Sequence, residues 1–251
     1  VYKIDTELPT HHPILQVDEG DSVNMSAALP LNTPEKNKHS IHERDSTLVT
    51  FAAVLYFTGM GINAVALKLL INERISGDAE HPNSESAFVD TTTTFLRSLA
   101  SFVMGRYTTG FSDYIGRKPV LIISSISLIL SRIAYYFAYT SDEFYAGGVI
   151  GGAFDCFYFT SLAWICDLHP HQICRSKRVG MFTGAVGGTA FVVGAPLGAV
   201  LATKIGIRLP FVITMFLGAI CIVVVVAMPV NDTIGVRKDP STARHLICGR
   251  Y

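Results

Sequence analysis

Apolar residues gather along this chain in blocks of about 20 residues, the length of helix that crosses a hydrocarbon layer. Six spans are predicted, at about 47–71, 88–111, 119–139, 144–166, 179–202 and 209–228. The second is the least apolar, since it carries Asp90, the four threonines Thr91 to Thr94, and Arg97. A soluble chain of this length would show shorter amphipathic elements instead. Residues 1–46 are polar and hold Pro9, Pro13, Pro30 and Pro34. They predict a disordered leader. The pattern as a whole predicts an all-α membrane protein. Its six-helix transmembrane bundle covers 47–230, and 231–251 forms a cytosolic tail or the start of a central loop.

Composition supports that reading. Hydrophobic residues make up 49% of the chain and charged residues 16%. The second figure is well below the roughly 25% usual in soluble domains. Lys plus Arg and Asp plus Glu each total 20, so zero net charge gives no pull toward nucleic acid. The placement of the bases matters more than their number. Arg117 and Lys118 lie between spans two and three. Arg175, Lys177 and Arg178 lie between spans four and five, and Arg237, Lys238, Arg244 and Arg250 follow span six. The alternate connections are acidic, with Glu73, Asp78, Glu80 and Glu85, then Asp142 and Glu143. Lys204 and Arg208 break the pattern. Both termini are therefore expected in the cytosol, where the sequons at Asn24 and Asn231 escape glycosylation.

Little points to catalysis. The five cysteines show no metal spacing. His11 and His12 have no partner cluster, and His169 and His171 flank Pro170 in a turn where metal binding is not expected. No phosphate-binding loop is present. No metal, cofactor or enzymatic activity is expected.

Small residues mark where helices approach one another in lipid. Gly147 and Gly151, then Gly148 and Gly152, recur at intervals of four. Gly180, Gly184 and Gly188 do the same in span five, followed by Gly194 and Gly198. All are expected at packing faces. Pro196 removes a backbone N–H and should kink or loosen span five.

Ionisable groups at membrane depth are costly and mark function by default. Arg97, Arg132 and Asp155 lie within the spans. Arg97 and Asp155 are close enough in depth to neutralise one another. Two readings stay open for them, a substrate- or proton-linked site and a structural ion pair.

The turn between spans two and three reads "GFSDYIGRKPVL" from Gly110 to Leu121. Gly116 suits a tight reversal at positive φ. Asp113, Gly116, Arg117 and Lys118 resemble the G-x-x-x-D-x-x-G-R-[KR] signature of the major facilitator superfamily. Thr109 stands where that signature begins with glycine. "AWICDLHP" (Ala163–Pro170) is similar to the family's ending of helix four, and "GAPLGA" (Gly194–Ala199) to its helix-five motif in antiporters. The resemblance is closest to tetracycline-efflux-type and hippocampus-abundant-transcript-like members.

The resemblance implies a fold of two six-helix halves, of which this chain supplies one half of a major-facilitator-type bundle. The second half would come from a continuation of this chain or from another chain. It implies that Asp113 docks on that half and that Arg117 reaches Asp167. The alternative is that both are headgroup-facing charges. It places helices one and four along a central cavity, which makes Asp155 the leading candidate for coupling and puts Asn63 within reach. Many proton-coupled relatives carry an arginine in helix four, and none lies between Asp142 and Asp167. The expected function is transport of a small organic solute across a bilayer by alternating access. The rival is a half-length membrane protein that regulates or scaffolds without transporting.

Overall fold

The computed structural model describes residues 33–228, apart from 80, 82, 170 and 171. The leader up to residue 32, both sequons, His11, His12, His171 and the tail after residue 228 lie outside the described residues. Of the unit Val1–Lys38, residues 33–38 are helical. The bundle belongs to the unit His39–Tyr251.

Among the described residues all regular structure is helical. α1 runs over Thr33–Ile71 and passes into a π-helical turn at Asn72–Ser76. The last part of the expected leader is thus helix, continuous with the first apolar span. α2 covers Ser84–Ile115 and starts at a capping box, in which the Asn83 side chain accepts from the Ser86 N–H at 2.7 Å. α3 covers Arg117–Phe137. α4 (Ser141–Ala153) starts at Thr140, whose N–H donates to the Glu143 carboxylate at 3.1 Å. α5 is Phe157–Leu168 and α6 is Gln172–Gly188. A second π-helical turn, Thr189–Gly194, leads into α7 (Ala195–Lys204), and α8 is Leu209–Ala227.

Five helical runs among the described residues are long and apolar enough to cross a membrane: Glu43–Ser76, Arg117–Phe137, Ser141–Leu168, Gln172–Lys204 and Leu209–Ala227. The expected second span, α2, is long enough at 32 residues but too polar to join them. Many large apolar side chains point outward, among them Phe102, Phe191, Val192, Phe216 and Val223. An outward apolar surface of this extent suits lipid rather than water.

The fourth span corrects the expectation of one unbroken helix. It stops at Ala153 and restarts at Phe157. The break follows a segment with four glycines, which hold helical geometry weakly. A break in lipid must satisfy the carbonyls it frees. Two serines on α3 do so. Ser124 donates to the Phe154 carbonyl at 2.6 Å and Ser127 to the Ile150 carbonyl at 2.7 Å.

Pro196 acts differently from a simple kink. The chain widens into the π-helical turn at Thr189–Gly194 just before it, which absorbs the missing N–H.

The small-residue stripes divide. A Cβ on Gly198 would strike the Ile62 backbone, and one on Gly194 would crowd Thr58 and Gly61, so α1 packs closely along this part of the fifth span. Gly151 sits against Ser131 of α3, and Gly152 against the Arg97 backbone of α2. Gly184 and Gly188 face open space, which corrects their assignment to an internal packing face. Equal spacing along a helix does not fix which face a neighbour covers.

Two apolar clusters form the interior. One gathers Val49, Ala53, Leu121, Phe157, Trp164, Phe182 and Val225. The other gathers Leu70, Ile71, Tyr135, Phe144 and Phe211. Buried polar groups accompany them, including Asn63, Ser127, Ser131 and Arg132.

Gly198→Ala should destabilise the purified protein in detergent by about 1–3 kcal/mol, because the new methyl meets backbone that cannot give way. Gly184→Ala should stay within about 0.5 kcal/mol of the parent. Thermal melting checks both, and equal effects at the two sites would contradict the packing described.

Candidate functional site

The charged turn joins α2 to α3 through Gly116, which adopts φ 109°, a conformation open to glycine. Its N–H donates to the Ser112 carbonyl at 3.2 Å, closing the end of α2. Arg117 then turns inward, and its guanidinium contacts three side chains. It lies 2.6 Å from the Asp113 carboxylate and 3.2 Å from that of Asp167, and donates to the Ser112 hydroxyl at 3.0 Å. A planar guanidinium suits this fork, where an ammonium would not. Lys118 donates to the Val226 and Met228 carbonyls at 2.8 and 2.7 Å. A cation there also complements the negative end of the α8 dipole. Adjacent residues thus tie the ends of α2, α3, α5 and α8. Asp113 and Asp167 stay about half exposed while Arg117 is largely covered.

At the same end Arg178 of α6 pairs with Glu43 of α1 at 2.6 Å. The sequence pattern gives no direct sign of this contact. Both residues flank apolar spans, which is the signal that could have found it.

The second polar group lies at the break in the fourth span. Asp155 sits between α4 and α5. One carboxylate oxygen accepts from Arg97 of α2 at 2.9 Å, and the other from the Tyr56 hydroxyl of α1 at 3.2 Å. The same guanidinium touches the Met60 sulfur at 3.7 Å. Tyr56 is 1% exposed and stacks on Phe157, with ring centroids 4.4 Å apart. Arg97 and Asp155 keep some exposure because they open onto a cleft. The cleft measures about 620 Å³ and is lined by Arg97, Ser98, Ser101, Phe102, Gly105, Arg106, Asp155 and Phe159.

The other sequence candidates lie apart from this cleft. Asn63 is 1% exposed; it holds α1 to α8 by donating to the Thr214 hydroxyl, and it also donates to the Gly59 carbonyl of its own helix at 3.0 Å. Arg132 is 2% exposed, with its guanidinium carbon 5.6 Å from the centre of the Tyr135 ring. It forms no ion pair among the described residues. Among the same residues, no group of three or more His, Cys, Asp or Glu could hold a metal ion.

Tyr56 is the partner that the sequence concealed. A tyrosine within an apolar run reads as packing, and nothing in its spacing points to a residue about a hundred positions away.

Comparison with known proteins gives a consistent result. Residues 49–247 match the profile of the Major Facilitator Superfamily. The chain is 27% identical over 167 residues to the class H tetracycline resistance protein of Pasteurella multocida, covering 66% of this chain and 39% of that protein. It is 32% identical over 126 residues to major facilitator superfamily domain-containing protein 10 of Mus musculus, covering 49% of this chain and 27% of that one. Among solved structures, that of the human organic anion transporter MFSD10 matches with a TM-score of 0.59 at 19% identity, over 74% of this chain and 47% of that one. This last likeness concerns the fold. The chain spans less than half the length of each of these proteins.

Removing Arg97 alone strands the Asp155 carboxylate in a low-dielectric site. Arg97→Gln should therefore cost about 3–5 kcal/mol of stability, reduced in proportion to the partial exposure of the pair. Arg97→Gln with Asp155→Asn should recover most of the loss. Melting curves for the two singles and the double form the cycle, and additive losses would mean that the pair is not coupled.

Proposed function

The chain belongs to the major facilitator superfamily, and from that premise we propose that it moves a small organic solute across a bilayer by alternating access, as one six-helix half of a transporter. It is a multi-pass integral membrane protein. In this reading α2 is the sixth spanning helix despite its polarity, since its Arg97 meets a partner and its outward side chains Phe95, Leu99, Phe102 and Val103 are apolar. The distribution of bases supports cytosolic termini.

The observation that carries the proposal is the fork at Arg117. A single guanidinium shared by Asp113 and Asp167 ties α2, α3 and α5 at one membrane face. Asp113 remains accessible to a second half, whether a continuation of this chain or another chain. The outward glycines Gly105, Gly110, Gly180, Gly184 and Gly188 leave flat strips on α2 and α6. Such strips suit close approach of further helices. When the halves rock, a fork of this kind can exchange partners without leaving a charge unpaired. Asp155, with Arg97 and Tyr56, is the group in this half best placed to sense a solute. As a secondary transporter, it would draw on solute or ion gradients rather than on ATP.

The test is solute flux in vesicles reconstituted with the protein and its second half. Arg117→Asp should lower flux about tenfold or more, about 1.4 kcal/mol or more in the rate-limiting step, with the protein still folded. Arg117→Asp with Asp167→Arg should restore part of it. A folded parent that dissipates no gradient of any anionic, cationic or neutral organic solute would overturn the transport reading.

A further inference from the structure

Arg106 is a charge within the spans that this half leaves without a counter-ion. It is exposed on α2 and forms no ion pair among the described residues. The two acids inside the spans are taken, Asp90 at 4.0 Å from Lys68 and Asp155 at 2.9 Å from Arg97. Asp113 lies on the same side of α2, but seven residues further on, about 10 Å along the axis, and Arg117 holds it at 2.6 Å. An unpaired base at such a depth is costly, and in membrane proteins it faces a partner or water.

Escape to the headgroups is poorly open to this side chain. The nearer end of α2 is the charged turn. Every Cα–Cβ bond of a helix tilts toward its N-terminus. Arg106 therefore starts out away from that turn and must double back to snorkel. Its side chain follows the tilt, since it lines one cleft with Ser98, Ser101 and Phe102 of the preceding turns. The other end of the helix, at Ser84, is 22 residues away, or about 33 Å.

The residues around Arg106 form a seam. Phe95, Leu99, Phe102, Arg106, Gly110 and Asp113 follow one another at intervals of three and four, and all are exposed. That spacing keeps to one helix face, and helices that pack lengthwise on a partner use it. The opposite face, with Val89, Thr93, Thr108 and Ser112, is buried. Gly148 and Gly152 of α4 close on the Thr93 and Arg97 backbones there. A Cβ on Gly105 or Gly110 would meet nothing within 4 Å, so a further helix has room to come close. We propose that this seam takes a transmembrane helix of the second half that carries one Asp or Glu, paired to Arg106 about 10 Å inside the face marked by the charged turn. A single polar contact in an apolar seam fixes its register. A second copy of this chain does not fit. Two-fold contact through the same seam, about an axis along the membrane normal, sets Arg106 near Arg106 with no acid at its depth. The pair deepens the two-half transport reading and rests on it.

Within the isolated half Arg106 has no pairing to lose. Arg106→Leu should therefore leave the melting temperature of the purified chain unchanged or raise it. A fall of more than about 3 °C would place the partner inside this half and overturn the proposal. The partner is identified by photo-cross-linking from Arg106→p-benzoylphenylalanine in the full chain in its own membrane. The link should reach a transmembrane segment with an Asp or Glu within one helical turn of the linked residue. Links to lipid alone, or to a segment without such an acid, would overturn the proposal. In vesicles holding both halves, Arg106→Leu strands that acid and should lower flux at least about tenfold. Replacing the acid by its amide in the same protein should recover part of the loss. Undiminished flux in Arg106→Leu would sink the pair and leave the transport reading standing. Where the parent itself moves no solute, the transport reading falls and the cross-link decides the pair.

Discussion

A carboxylate within a hydrocarbon layer must be neutralised by its neighbours, and Asp155 draws its two partners from two different helices. Arg97 brings α2 to one oxygen and Tyr56 brings α1 to the other. The residue itself lies where the fourth span leaves helical geometry. That irregularity is tolerated because Ser124 and Ser127 of α3 take up carbonyls near the break. Parts of α1, α2, α3 and the broken α4–α5 run thus meet within a few residues of one acid. The positions of α1, α2 and α3 around it follow from hydrogen-bond geometry as much as from shape.

Elsewhere the bundle relies on proximity. The hydrophobic effect gives little drive between helices in lipid, so contact quality decides. Gly61, Gly194 and Gly198 let α1 and the fifth span approach with backbone against backbone. Asn63 donating to the Thr214 hydroxyl, and that hydroxyl to the Gly59 carbonyl, then add buried hydrogen bonds between α1 and α8. The single Thr214 hydroxyl proton lies within reach of the Pro210 carbonyl of its own helix and the Gly59 carbonyl across the interface, while the hydroxyl oxygen accepts from Asn63. These directional bonds set register where packing of similar aliphatic side chains alone would allow slippage.

Much of this was legible in the chain. Block length alone gives five of the expected spans, because a bilayer fixes how much apolar helix is needed. The weakness of the second span was visible in Asp90 and Arg97. The Arg97–Asp155 contact was legible because buried charges of opposite sign have few other places to go. The break was not, since the hydroxyls that permit it come from α3, 30 and 23 residues earlier. Tyr56 was hidden for a similar reason, as its partner is 99 positions away. The glycine stripes mislead in part. Gly147 and Gly151 have the same spacing as Gly184 and Gly188, yet the first two meet Tyr135 and Ser131 and the others meet nothing within 4 Å. Spacing defines a face, and only the fold says what lies against it.

The two charged groups are also the two ends of one strut. Asp155 precedes the first turn of α5 and Asp167 lies in its last, so the two acids are separated by about 18 Å along a helix of 12 residues. Each acid is held by an arginine from a different helix, Arg97 of α2 at one end and Arg117 of α3 at the other. A short, unbroken helix is stiff against bending. The break before Phe157 ends the continuous backbone ladder between α4 and α5, and Ser124 of α3 holds the Phe154 carbonyl within it. The irregular turn at Phe154–Cys156 therefore lets one short helix carry an acid at each end, each met by an arginine from a different neighbour.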